Sequence, residues 1–214
     1  MAGRSAKAFA LHRAAAIFSK NTSLAPSYNT LMTITRDELS TDFFTVLAAD
    51  HRSPEIPEAL DVYGWLCGSW DLAVLRYRAI DVSAQNLTGE MHAARVLEGR
   101  AVQDVWIMPR RGDRTAASDP AMNMYGTTLR WWDASIQAWR IAWTNPIRSH
   151  REEQIGSWQG RDIVQNGTRG DGTKTRWTFT DITANSFHWR GEAWYPNQTV
   201  WIVEGEFLAT RRQA

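Results

Sequence analysis

Glu90 and His92, in GEMHAARVL, are the first residues of this chain whose types and spacing could do chemistry. Two apart, they share one face of a strand. A carboxylate beside an imidazole fixes its tautomer and raises its basicity, the minimum for general-base work. Asp104 in AVQDVW lies across the EGR turn and joins them if the strand register brings it alongside. The plainer reading is a hydrogen-bonded strand histidine with no catalytic part. The three together make a poor zinc set, because two carboxylates and one histidine lack the second imidazole, so no metal is expected. A lone histidine could also ligate haem, but no motif specifies one and no cofactor is expected.

Arg130 in TTLRWW and Arg140 in AWRIAW fall on consecutive segments joined by DASIQ. One of them could clamp a carboxylate bidentately. The favoured alternative is structural: strand arginines commonly solvate an outer face, stack on tryptophan, or here pair with Glu192 and Asp104. The chain carries no P-loop, no GxGxxG and no GxSxG elbow. Its single cysteine, Cys67, excludes an internal disulfide and any CxxC site, reads as a small hydrophobe, and suits a reducing, cytoplasmic setting.

These residues must be positioned by strands. Runs rich in β-branched and aromatic residues, bounded by turn signals, predict strands at 69–80, 87–97, 101–108, 125–132, 138–144, 151–158, 162–165, 175–180, 186–193 and 199–211. The intervening EGR, DASIQ, GRD, NGTRGDGT, TAN and YPN are tight hairpin connections. Short loops join antiparallel neighbours, and a meander this long removes its edges by closing. The expected fold is therefore mainly β, an up-and-down antiparallel barrel of about ten strands. One connection, 109–123, is longer than a hairpin loop and could cover an open barrel end. Its Arg111-Gly112-Asp113 and the sequons at Asn21, Asn86, Asn166 and Asn197 are set aside as turn composition.

Ahead of the barrel, residues 1–31 hold Arg4, Lys7, Arg13 and Lys20 with no acid. They read as an N-terminal helix, an extension before a start at Met32, or a transit-like peptide. Residues 32–66 form a helical lead-in. Thr35 and Glu38 fit a capping box, Leu39, Phe43, Val46 and Leu47 recur at helical spacing over 36–50, and a second helical turn precedes Gly68. The barrel domain is 67–214. No run reaches the roughly 18 apolar residues of a membrane span.

Alternation along the strands selects an interior. Trp139, Ile141, Trp143 and Asn145 share a face, as do Phe187, Trp189 and Gly191, and Trp201, Val203, Gly205 and Phe207. With Trp106, Trp177, Arg130 and a rim residue, Tyr125, these form the candidate binding set for a small apolar or aromatic molecule. A solid aromatic core is the alternative. The twelve tryptophans against five tyrosines and seven phenylalanines fit either.

Gly68-Ser69-Trp70, after a short helical turn and at the start of the first strand, resembles the G-x-W signature of the lipocalin or calycin superfamily. The resemblance implies a barrel floor closed by Trp70 and covered by an arginine from the last strand, for which Thr210-Arg211-Arg212 supplies candidates. GRAVQDVW, YGTTLRWWD, AWRIAWTNP and FTDITANSFHWRGE are also similar to uncharacterised bacterial proteins with a lipocalin-like barrel. The likeness covers roughly 61–212 and implies a fold without an activity.

Three functions follow. The barrel binds a small apolar or aromatic guest; or it is a cofactor-independent lyase, isomerase or cyclase in which Glu90, His92 or Asp104 moves a proton; or its tryptophans form a homodimer face. A formal net charge of +1 gives no basic field for nucleic acid.

Overall fold

A computed structural model describes residues 36–116 and 118–213. The expectations for residues 1–35, including the Thr35 cap, lie outside the described residues. The chain forms α1 (Arg36–Leu47), β1 (Ala48–Ala49), β2 (Gly68–Tyr77), β3 (Ile80–Asp81), β4 (Thr88–Val96), β5 (Ala101–Met108), β6 (Met124–Asp133), β7 (Ala138–Asn145), β8 (His150–Gln159), β9 (Asp162–Thr168), β10 (Lys174–Thr180), β11 (Ser186–Trp194) and β12 (Ile202–Arg211).

Ten of these strands close a barrel. Each pairs antiparallel with the next in the chain from β4 to β12, β12 pairs with β2, and β2 pairs back with β4. Every expected strand is present, with its ends shifted by no more than three residues and the 101–108 strand not at all. The last begins at Ile202 rather than at 199, because Tyr195–Val200 form the turn and Trp201 precedes the first strand residue.

The helix is shorter than expected. After Leu47 the backbone turns extended, and Ala48 and Ala49 pair with Val96 and Arg95 of β4. The proposed apolar stripe does not pack as such: within the described residues Phe43 and Val46 are exposed, and it is the β1 pairing that joins this segment to the barrel. The second expected turn appears as two 3-10 turns, Glu58–Leu60 and Gly64–Leu66.

Those turns plug one end. Tyr63, Leu66 and Trp70 are completely buried there, and the edge-to-face contacts of Trp65 with Trp70, Phe179 and Phe187 knit the plug to β2, β10 and β11. The Trp70 indole N–H donates to Leu66 O at 2.8 Å. Arg211, at the end of β12, lays its guanidinium 4.0 Å from the Trp70 ring centroid while donating to the carbonyls of Cys67, Trp65 and Ala184 at 2.8, 2.7 and 2.6 Å. Gly68 makes this possible. Its φ of +128° is open to glycine, and a Cβ there would sit 2.5 Å from the Arg211 guanidinium. Cys67 is half-buried beside the plug, and burial pushes its thiol up.

Candidate ligand cavity at the open end of the barrel

Above the floor the interior is crossed by a polar belt. Arg130 and Asp104, 1 % and 0 % exposed as side chains, form a buried ion pair; Asp104 also accepts from the Thr128 N–H at 3.1 Å, and Arg130 stacks on the rings of Tyr63 and Phe179 at 5.1 and 5.8 Å. Tyr63 donates to Gln165, Gln165 to Gln154, and Gln154 to Thr175, each at 3.1 Å. Burying this many polar groups is tolerable only because each has a partner.

Beyond the belt the barrel opens into a cavity of about 690 Å³. Its wall is aromatic: Trp106, Trp143, Trp177, Trp189 and Phe207, in a chain of ring contacts from 5.3 to 6.2 Å. Small residues make room for the indoles. A Cβ at Gly126 would lie 2.3 Å from the Trp143 ring, and one at Gly191 would lie 2.5 Å from the Trp189 ring. Arg130 and Asn145 line the same space.

Three expected binding residues are elsewhere. Trp139 is inside but belongs to the floor, donating its indole N–H to Leu60 O at 2.8 Å and meeting Tyr63 edge-on. Tyr125 is exposed on the outer face of β6 with Arg114 over its ring. Trp201 is outside the cavity wall, with Arg176 stacked 4.4 Å from its centroid. The cause is a β-bulge: Gly191 faces Gly205, but Glu192 faces Val203, so Glu204 is an extra residue in β12 and the alternation before it reverses. Glu204 joins the cavity lining as a result.

The strand register also separates the proposed acid/base group. Asp104 faces Ala93, and His92 faces Val105, so Asp104 points into the barrel while Glu90 and His92 lie on its outside. Outside, His92 Nε2 is 3.2 Å from Glu90, and His92 Nδ1 is 2.9 Å from the Ser69 hydroxyl. Arg111 donates to Glu90 through its backbone N–H and its guanidinium at 3.1 and 2.6 Å, and Arg212 reaches it at 3.4 Å. The bonds from Arg111 hold the Glu90 carboxyl down at about 2 despite its burial. This cluster fastens the long 109–123 connection to β4. Arg140 is likewise outside, bonded to Asp133 at 2.6 Å.

The chemistry sought in Glu90 and His92 occurs at the same spacing in β8, facing the cavity. His150 Nε2 lies 2.9 Å from Glu152 Oε1, and Glu152 is buried. Arg169, from the β9–β10 turn, donates to Glu152 at 2.6 Å and bidentately to Glu204 at 3.0 and 2.6 Å. Tyr195 donates to Glu204. Burial opposes the Glu204 charge, but these bonds outweigh it and keep the carboxyl below its usual range; the same bond, with burial, pushes the Tyr195 phenol up. Neither His150 nor Arg169 carried a periodic signal, since the first preceded the strand as read and the second sat in a turn. The visible clue was the i, i+2 pairing of His150 and Glu152.

Among the described residues, no group of three or more His, Cys, Asp or Glu side chains could hold a metal, and no helix is long and apolar enough to cross a membrane. No protein-family model matches the chain in sequence, and no curated protein matches it either.

Proposed function

We propose that this protein is a lipocalin-like barrel that binds a small apolar or aromatic molecule at its open end. The observation that carries the reading is the aromatic-walled cavity of about 690 Å³, inside the range of roughly 300–1,000 Å³ usual for small-molecule sites. The superfamily reading is supported by Gly68 and Trp70 at the floor with Arg211 over the indole. Four tryptophans on the cavity wall favour a guest over an aromatic dimer face, and of the twelve Trp158 is the exposed one. Native mass spectrometry of the purified full chain, with tryptophan quenching by 1-naphthol, tests the reading. A bound small molecule lost on denaturation, or saturable quenching near one equivalent, is expected. An empty protein that 1-naphthol leaves unquenched would overturn it.

His150 and Glu152 favour one second reading, an enzyme that moves a proton on the bound guest. Glu152 orients the imidazole as the carboxylate of a general-base pair does. Turnover of a bound guest, abolished in His150→Ala with binding retained, would move the assignment to this reading.

A further inference from the structure

The cavity is richer in unpartnered hydrogen-bond donors than in acceptors. Among the described residues, no protein group accepts from the indole N–H of Trp106, Trp143, Trp177 or Trp189, whereas the floor indoles of Trp65, Trp70 and Trp139 donate to carbonyls at 2.8–2.9 Å. Unlike the floor indoles, these four nitrogens are not sealed inside the protein, so a guest in the cavity can supply the acceptor. Arg148 lines the same space.

Charge is distributed in the same sense. Of the four arginines lining the cavity, Arg130 is neutralised by Asp104, and Arg169 by Glu204 and Glu152. Arg78 and Arg148 have no carboxylate partner among the described residues. Arg148 donates to the backbone carbonyls of Pro120 and Ala121, Arg78 follows Tyr77 directly in the chain, and all three of Tyr77, Arg78 and Arg148 line the cavity. Asn145, only 3 % exposed, also lines the cavity, and an amide can offer either a donor or an acceptor edge.

We infer that the guest is a flat aromatic carboxylic acid, its ring among the cavity indoles and its carboxylate at the rim beside Arg148, Arg78 and Tyr77. This rests on the binding reading above and adds to it the class of the guest. An acid fits where a neutral hydrocarbon does not: it supplies the acceptors that the indoles lack and a counter-charge to Arg148 and Arg78, and a carboxylate hydrogen-bonded to arginine in a partly desolvated mouth is among the stronger neutral-pH anchors. An amine is disfavoured, because the one carboxylate in the lining, Glu204, is already engaged by Arg169 and Tyr195.

Three probes share one ring system: 2-naphthoate, 2-naphthamide and 2-naphthylmethylammonium. Titrated against the full chain by tryptophan quenching at neutral pH, the carboxylate is expected to bind about tenfold or more tighter than the amide, and the ammonium weakest. In Arg148→Gln the preference should fall to within about threefold while the amide affinity holds, which shows the cavity intact. Should Arg148→Gln fail to fold because its loop contact is lost, Arg78→Gln, whose side chain is exposed, carries the same test. Equal affinity for all three probes, or tightest binding of the ammonium, overturns the acid while the cavity reading stands. Failure of all three to bind overturns both.

Discussion

The two ends of this barrel use the same side chains for different ends. At the floor, the indoles of Trp65, Trp70 and Trp139 each donate to a backbone carbonyl, their rings make edge-on aromatic contacts, and Arg211 covers Trp70 while making three carbonyl contacts. At the open end, Trp106, Trp143, Trp177 and Trp189 touch one another as closely, yet they wall a cavity of about 690 Å³. The difference lies in what faces the rings. Residues 57–67 fold back into the floor as two 3-10 turns and fill it, whereas over the cavity the connections run along the rim. An aromatic-rich interior therefore does not by itself distinguish a core from a pocket. What distinguishes them here is whether each indole N–H has a protein acceptor.

On that distinction, truncation should cost unequally. Trp70→Ala removes a completely buried ring, its hydrogen bond and the surface on which Arg211 rests, and is expected to cost about 4–5 kcal/mol in urea unfolding. Trp189→Ala, at a ring already facing open space, should cost about 1–2 kcal/mol, because part of its surface was never buried. Equal losses would mean that the open end is packed as the floor is.

The belt between the two ends offers a second contrast. Asp104→Ala would leave the Arg130 guanidinium buried and uncompensated, at an expected cost of about 3–4 kcal/mol. Replacing both, as Asp104→Leu with Arg130→Met, should recover most of that loss, since a buried pair is often no more stabilising than apolar residues of similar volume. Recovery with unchanged probe binding would make the belt a partition between floor and cavity. Recovery with lost binding would make Arg130, which lines the cavity, part of the site.

How far the sequence foretold this depends on which regularity each residue obeyed. Where a strand ran without interruption, alternation placed side chains correctly: Trp139, Ile141, Trp143 and Asn145 all point inward, as do Phe187 and Gly191. Trp201 was misplaced because one extra residue in β12, Glu204, reverses the alternation, and no local signal marks a bulge. Asp104 was separated from Glu90 and His92 by pairing register, which is set by the whole sheet rather than by either strand. Arg169, which organises the polar rim, acts from a turn, where periodicity carries no information about direction. The closed architecture was thus legible, and half of the cavity wall with it; the polar rim was not, since it is built from residues that begin, end or interrupt strands.

The smallest expected effect concerns the outer face, where Glu90 ties the open-end connection at Arg111 to Arg212, next to the floor's own Arg211. Its folded pKa, about 2, lies below the ordinary 4.5, so the ionised form is favoured by folding. The resulting stability is fully present above pH 4.5 and is lost as the pH falls from there towards 2. Because Arg111 is largely exposed, solvent screening limits the effect to about 1–2 kcal/mol. Glu90→Gln should flatten this part of the acid dependence, read as the difference between its urea midpoint and that of the unsubstituted chain at pH 7, 4.5 and 3. The two ends should also respond differently. Arg211 is held by backbone carbonyls rather than by a carboxylate, so hydrogen exchange at pH 3 should quicken in residues 109–116 while the amides of Gly68–Leu72 stay protected. Loss of protection at both ends together would show that Glu90 supports the floor as much as the loop, and that the barrel's two ends open as one unit.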